Sequence, residues 1–191
     1  NEAFYYAKNI TGDLIIPDSV TIIGNNAFRE CTGLNGKLVL PDDLLSIESY
    51  AFFNCRFTGQ LKLPSKLEKI GNNAFKIDPS ASFTGKLVIP ESVKSIETVA
   101  FSGQQGITSV IFEGNNITAL PDSVFRYCSG LNGTIIIPDS VQTIGKNTFV
   151  DTGKITVYLP KRKDSTNDKF LSDNTFSASV NTIICNEDDY K

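Results

Sequence analysis

Residues 12–31 read Gly12-Asp13-Leu14-Ile15-Ile16-Pro17-Asp18-Ser19-Val20-Thr21-Ile22-Ile23-Gly24-Asn25-Asn26-Ala27-Phe28-Arg29-Glu30-Cys31, and the same order of residue types returns between Gly36 and Cys55. A glycine opens each copy, Leu-x-Leu or Ile-x-Ile follows, and a proline closes that run at Pro17, Pro41, Pro64, Pro90 and Pro138. Three residues past each proline comes Val20, Leu44, Leu67, Val93 or Val141. Three further comes Ile23, Ile47, Ile70, Ile96 or Ile144, and five beyond that Phe28, Phe52, Phe75, Phe101 or Phe149. Two looser copies run Ile107, Val110, Phe112, Ile117, Leu120, Phe125 and Val157, Leu159, Pro160, Leu171, Phe176. The phenylalanines at 28, 52, 75, 101, 125, 149 and 176 are separated by 24, 23, 26, 24, 24 and 27 residues. A fixed period in this range is the signature of a leucine-rich-repeat solenoid.

Physical chemistry assigns each position a job. Side chains alternate across a strand, so the two apolar residues of Leu-x-Leu point inward together. The proline cannot donate to a ladder, so it ends the strand. A second short extended piece carries the isoleucine inward. Gly-Asn-Asn, at Gly24–Asn26 and Gly71–Asn73, supplies residues that tolerate left-handed backbone. One 3₁₀ or short helical turn is expected at Ala-Phe. No coil can bury its apolar edge alone, so residues 1–191 are read as one right-handed solenoid domain of about seven coils. Its parallel strands line the concave face, and its short strands and turns the convex side. Ala3-Phe4 and the strand Ile183 to Cys185 belong to partial coils at the two ends, which marks the chain as a fragment and makes those ends candidates for end-to-end self-association.

Composition narrows the chemistry. Histidine is absent, which removes the usual general base and the commonest metal ligand. No phosphate loop, Gly-x-Ser-x-Gly elbow or CxxC spacing occurs, so neither cofactor nor metal is expected and the chain is read as non-enzymatic. The net charge of -3 is dispersed, against a nucleic-acid partner, which needs a clustered basic footprint. No stretch approaches the roughly 18 apolar residues of a membrane span, so no insertion is expected.

Cys31, Cys55 and Cys128 fall three residues after their phenylalanines, a slot that elsewhere holds Asp78, Gln104, Thr152 and Ser179. Cys185 falls at a strand core position. Free, buried thiols are favoured, with disulfide pairing the alternative. The sequons at Asn9, Asn116 and Asn132 would matter only in a eukaryotic secretory setting.

Two outward rows remain on the exposed sheet face. One is polar: Asp13, Lys37, Gln60, Lys86, Ser109, Thr134, Thr156, Thr182. The other is mostly β-branched: Ile15, Val39, Lys62, Val88, Ile111, Ile136, Tyr158, Ile184. The plain reading is that these residues stabilise a narrow parallel sheet by same-face packing. The functional one is an apolar stripe, flanked by Lys37, Lys62 and Lys86, that docks a protein. The polar stretch Lys161 to Lys169 is a surface loop, solvated in the plain reading and ligand-binding in the functional one.

The run from Ile16-Pro17 through Ala27-Phe28 to Cys31, and from Leu40-Pro41 through Ala51-Phe52 to Cys55, resembles the BspA-like, or Treponema pallidum type, leucine-rich-repeat family over nearly the whole chain. That resemblance implies an extracellular or cell-surface protein of a host-associated bacterium or parasitic protozoan, with adhesin-like binding of matrix proteins such as fibronectin and fibrinogen. It carries no catalytic motif. A rigid spacer bearing other modules is the alternative, and a carbohydrate-active enzyme a distant third.

Overall fold

The computed structural model describes residues 1–78, 82–160 and 174–176, and the backbone of 181–184. The stretch 161–169, Leu171, Ser179 and Cys185 lie outside the described residues.

Each coil contributes two short extended pieces, and equivalent pieces pair in parallel. The sheet face consists of β1 (Leu14–Ile15), β3 (Leu38–Val39), β6 (Gly85–Ile89), β8 (Ile107–Phe112), β10 (Gly133–Ile136), β12 (Ile155–Leu159) and β13 (Asn181–Ile184). The second row consists of β2 (Ile22–Ile23), β4 (Ser46–Ile47), β5 (Lys69–Ile70), β7 (Ser95–Ile96), β9 (Ala119–Leu120) and β11 (Thr143–Ile144). The isoleucines stack in register, Ile23 on Ile47, Ile47 on Ile70 and Ile70 on Ile96. They are buried, as the repeat predicts.

Neither row is one continuous sheet. The second row divides into β2-β4-β5-β7 and β9-β11. The division falls at the coil where seven residues separate Glu113 from Leu120, against six from Pro90 to Ile96. The sheet face divides into β1-β3, β6-β8 and β10-β12-β13. Coil three has the expected Gln60-Leu61-Lys62-Leu63, but these residues pair with neither neighbour. The link into that coil is one residue short, four from Cys55 to Gly59 against five from Cys31 to Gly36.

The element that runs unbroken is the phenylalanine turn. The N–H groups of Phe4, Phe28, Phe52, Phe75, Phe101, Phe125 and Phe149 each donate to a carbonyl of the next coil at 2.8–3.1 Å. The rings stack from Phe4 to Phe176 with centroids 5.0–5.8 Å apart and planes within 18°. That separation lies inside the favourable range for aromatic pairs. Thus a hydrogen-bond ladder and a ring stack together hold the coils in file along one edge.

The turn is not helical. It is a chain of reverse turns, with the N–H groups of Ala27, Arg29 and Cys31 donating to the carbonyls of Gly24, Asn26 and Phe28. Left-handed residues recur two before and two after the phenylalanine, as at Asn26 (φ 55°) and Glu30 (φ 60°). A left-handed residue every fourth position prevents the i to i+3 pattern from propagating into the expected 3₁₀ turn. The Gly-Asn-Asn reading holds at its last residue. Its last asparagine, Asn26 or Asn73, takes the positive φ. The glycine serves close approach instead, because a Cβ on Gly71 would lie 2.6 Å from the carbonyl carbon of Glu48 in the preceding coil.

The core is a single apolar column from Ile16 to Leu159. Among the described residues no helix is long and apolar enough to cross a membrane, and no group of three or more His, Cys, Asp or Glu could hold a metal ion.

Candidate functional site

The outward apolar row forms where the alternation places it. Ile15 pairs with Val39, Val88 with Ile111, and Ile136 with Tyr158. Ile15, at 69% exposure, Ile136 at 52%, Val39 and Ile111 are open to solvent. Val88 and Tyr158 are half-buried. Six of the nine candidate residues therefore sit as three side-by-side pairs on one face. The remaining three, Lys37, Lys62 and Lys86, are exposed on that face.

At its far end the row departs from expectation. Tyr158 pairs with Ile183 and Leu159 with Ile184, one residue away from the expected alignment of Tyr158 with Ile184. Because side chains alternate, a one-residue slip exchanges the faces of a strand. The interval from phenylalanine to the next strand is not constant, being ten residues from Phe28 to Leu38 and twelve from Phe75 to Leu87, so the repeat leaves this register open.

Electrostatics separate the two rows. On the second row Lys66 pairs with Asp43 at 2.5 Å, Lys94 with Glu68 at 2.9 Å, and Lys69 with Glu48 at 2.8 Å and Glu97 at 3.4 Å. The hydrogen bond from Lys69, then that from Ser46, holds the Glu48 carboxyl below the usual range. By contrast, Lys37, Lys62 and Lys86 make no ion pair with any described residue. Asp13 shares their face, but its carboxylate accepts the backbone N–H of Lys37 at 2.7 Å.

Where coil three leaves the sheet, two clefts open. One, of about 500 Å³, lies between Lys37–Leu40 and Gln60–Pro64, with Asp42 at its rim. The other, of about 220 Å³, lies between Gln60–Leu63 and Val88, with Glu113 at its rim. Gln60 Nε2 donates to the carbonyl of Lys86 at 2.9 Å, so a side chain takes over one connection that the ladder would have made.

Cys31, Cys55 and Cys128 are buried and unpaired. Burial pushes the Cys128 thiol up to about 12. Burial raises the Cys55 thiol as well.

One cluster escaped the sequence reading. The Arg29 guanidinium lies 4.9 Å from the ring centroid of Tyr50, 5.2 Å from Phe53 and 5.7 Å from Tyr5, and Lys76 lies 5.3 Å from Phe53. The signal was present one residue after each phenylalanine, where Tyr5, Arg29, Phe53 and Lys76 alternate aromatic and cation. In-register stacking converts that alternation into a cation–π ladder.

Comparison with known proteins agrees with this geometry. The family model described as BspA type leucine rich repeat region matches residues 1–84 and 81–183, in 6 copies. A leucine-rich repeat protein from Bacteroides ovatus ATCC 8483 superposes with a TM-score of 0.65 at 24% identity, over 84% of this chain and 46% of that one. A leucine rich cell surface protein from Faecalibacterium prausnitzii A2-165 aligns at 22% identity over 98% of this chain and 63% of that one, with a TM-score of 0.41. The chain thus spans less than two thirds of either protein's length. No curated protein matches it. With its repeat register, phenylalanine column and solenoid topology, the chain belongs to the BspA-type leucine-rich-repeat family, a repeat architecture that offers an extended surface for protein interaction.

Proposed function

We propose that the chain is a non-catalytic, adhesin-like docking domain of a secreted or cell-surface protein, binding a protein ligand such as a host matrix protein through its exposed sheet face. The observation that carries this reading is the row of solvent-facing apolar residues Ile15, Val39, Ile111 and Ile136 beside lysines that make no ion pair with any described residue. Contiguous exposed apolar surface is a mark of interaction sites. The surface location rests on the family resemblance.

The test is solid-phase or interferometric binding of immobilised fibronectin and fibrinogen to the chain and to a Val88→Asp, Ile111→Asp double variant. Saturable binding that the double variant loses while keeping its circular dichroism supports docking by this face. Binding equal in the two proteins sinks it. A rigid-spacer role is the second reading, favoured by the unbroken phenylalanine ladder, and absence of any saturable binding would turn the choice towards it.

A further inference from the structure

We propose that the cleft between coils two and three is an anchoring subsite for a carboxylate carried on an acidic, extended segment of the protein partner. The inference rests on the docking reading above and names the partner's chemistry.

In a parallel ladder, alternate N–H groups point to opposite neighbours. The N–H of Leu14 donates to Lys37 and that of Ile16 to Val39, so the strand Leu38–Val39 faces coil one through the carbonyls of Lys37 and Val39. The amides of Leu38 and Leu40 consequently point to coil three. Coil three has left the sheet, and neither amide makes a hydrogen bond with any described residue. Two residues along a strand span roughly 6.6 Å, so each amide can take one acceptor of an extended segment, a side-chain carboxylate oxygen or a backbone carbonyl, and buried or half-buried donors lacking a partner favour any acceptor that reaches them.

Charge points the same way. Lys37 and Lys62 both line this cleft, and neither makes an ion pair with a described residue. Lys62 is also the residue that interrupts the apolar row, between Val39 and Val88. Asp42 is the one acid among the lining residues, so the two lysines leave the cleft with one net positive charge. A single carboxylate neutralises that balance. The flanking apolar residues fit a peptide that alternates acidic and β-branched side chains, since an extended chain presents every second residue to the same face.

The test uses the full chain and three fluorescein-labelled peptides alternating valine with glutamate, glutamine or lysine. Fluorescence anisotropy should give the glutamate peptide an affinity higher by roughly tenfold or more than the glutamine peptide, as a charge-assisted hydrogen bond warrants. The lysine peptide should not bind, and salt should weaken the glutamate complex. Lys62→Glu and Lys37→Glu should abolish the preference, whereas Lys66→Glu on the other row should leave it unchanged. The amide resonances of Leu38 and Leu40 should shift on titration. Equal affinity for the glutamate and glutamine peptides, or a preference that survives Lys62→Glu in a folded chain, would overturn the subsite. If that happens while Val88→Asp with Ile111→Asp still removes binding to a matrix protein, the docking face stands and only the carboxylate subsite falls.

Discussion

The Cys55 thiol donates a 2.9 Å hydrogen bond to the carbonyl oxygen of Phe28, 27 residues earlier and one coil back. Cys31 does the same to Phe4 at 2.8 Å and Cys128 to Phe101 at 3.2 Å. In the equivalent slot, Gln104 Nε2 donates to the carbonyl of Phe75 at 2.6 Å. At these four positions the slot supplies a buried donor to the phenylalanine carbonyl of the coil before, whereas Thr152 in the same slot donates to Phe149 of its own coil and Asp78 is exposed. Sulfur is one way to supply that donor.

Cys128→Ser is accordingly expected to leave stability within about 1 kcal/mol of the parent, because the hydroxyl can donate to the same carbonyl. Gln104→Leu should cost more. It removes the donor to Phe75 and also the acceptor for the N–H of Phe83, both buried. Each group left without a partner costs about 1–3 kcal/mol. Urea denaturation of the two variants measures the difference, and equal losses would refute the donor role.

The Cys128 thiol also predicts a pH dependence. Burial raises it to about 12, above the roughly 8.5 of an unfolded thiol. Between these values the unfolded chain has lost the proton that the folded chain keeps. Stability is therefore fully present below about 8.5 and falls as pH rises towards 12, by roughly 1.4 kcal/mol per pH unit for this group. Cys128→Ser should flatten the alkaline limb of a stability–pH curve relative to the parent.

Val99 holds a left-handed backbone at φ 65° in the slot that is asparagine at Asn26, Asn73 and Asn147. A β-branched residue there is strained by about 1–2 kcal/mol, whereas asparagine tolerates the conformation. Val99→Asn should raise the melting temperature. A fall would mean that the half-buried valine contributes more by packing than it loses to strain.

Two glycines with positive φ should respond differently to alanine. Gly85 at φ 77° has open space where a Cβ would go, so Gly85→Ala should cost about 1 kcal/mol for backbone strain alone. At Gly103, φ 85°, a Cβ would lie 2.0 Å from the carbonyl oxygen of Ile77. Gly103→Ala should exceed Gly85→Ala by several kcal/mol, read by chemical denaturation.

Hydrogen exchange should map the break in the sheet. The amides of Phe52 and Phe75 lie in the unbroken turn ladder and should be strongly protected. Those of Leu38 and Leu40, without a partner across the cleft, should exchange far faster although Leu38 is only 6% exposed. Comparable protection at all four sites would contradict the splayed coil three.

The repeat made much of this legible. Proline, isoleucine and phenylalanine keep constant spacing, and each sits on an element whose length is fixed by one turn of the coil. Ile47, Phe52 and Leu67 could therefore be assigned to the core from position alone, and the row Ile15, Val39, Val88, Ile111, Ile136 to one face by alternation. The links that vary in length were not legible in the same way. The short link before Gly59, the extra residue before Leu120 and the short interval of seven residues from Phe176 to Ile183 are where ladders break or slip.

By itself the sequence determined the solenoid, its period, its inward positions and the outward apolar row, because a fixed repeat with alternating side chains leaves a chain only one way to close a continuous core. Tertiary structure alone decided that the phenylalanine turn, and not the sheet, runs unbroken, and that the cysteine slot is a donor slot. It alone decided that Arg29 sits among Tyr5, Tyr50 and Phe53, and that Lys37 and Lys62 flank an open cleft while Lys66, Lys69 and Lys94 are neutralised. The physical reason is common to all of these. They depend on contacts between coils about 24 residues apart, which form only when stacking sets the distance between equivalent positions, and no spacing within one coil records that distance.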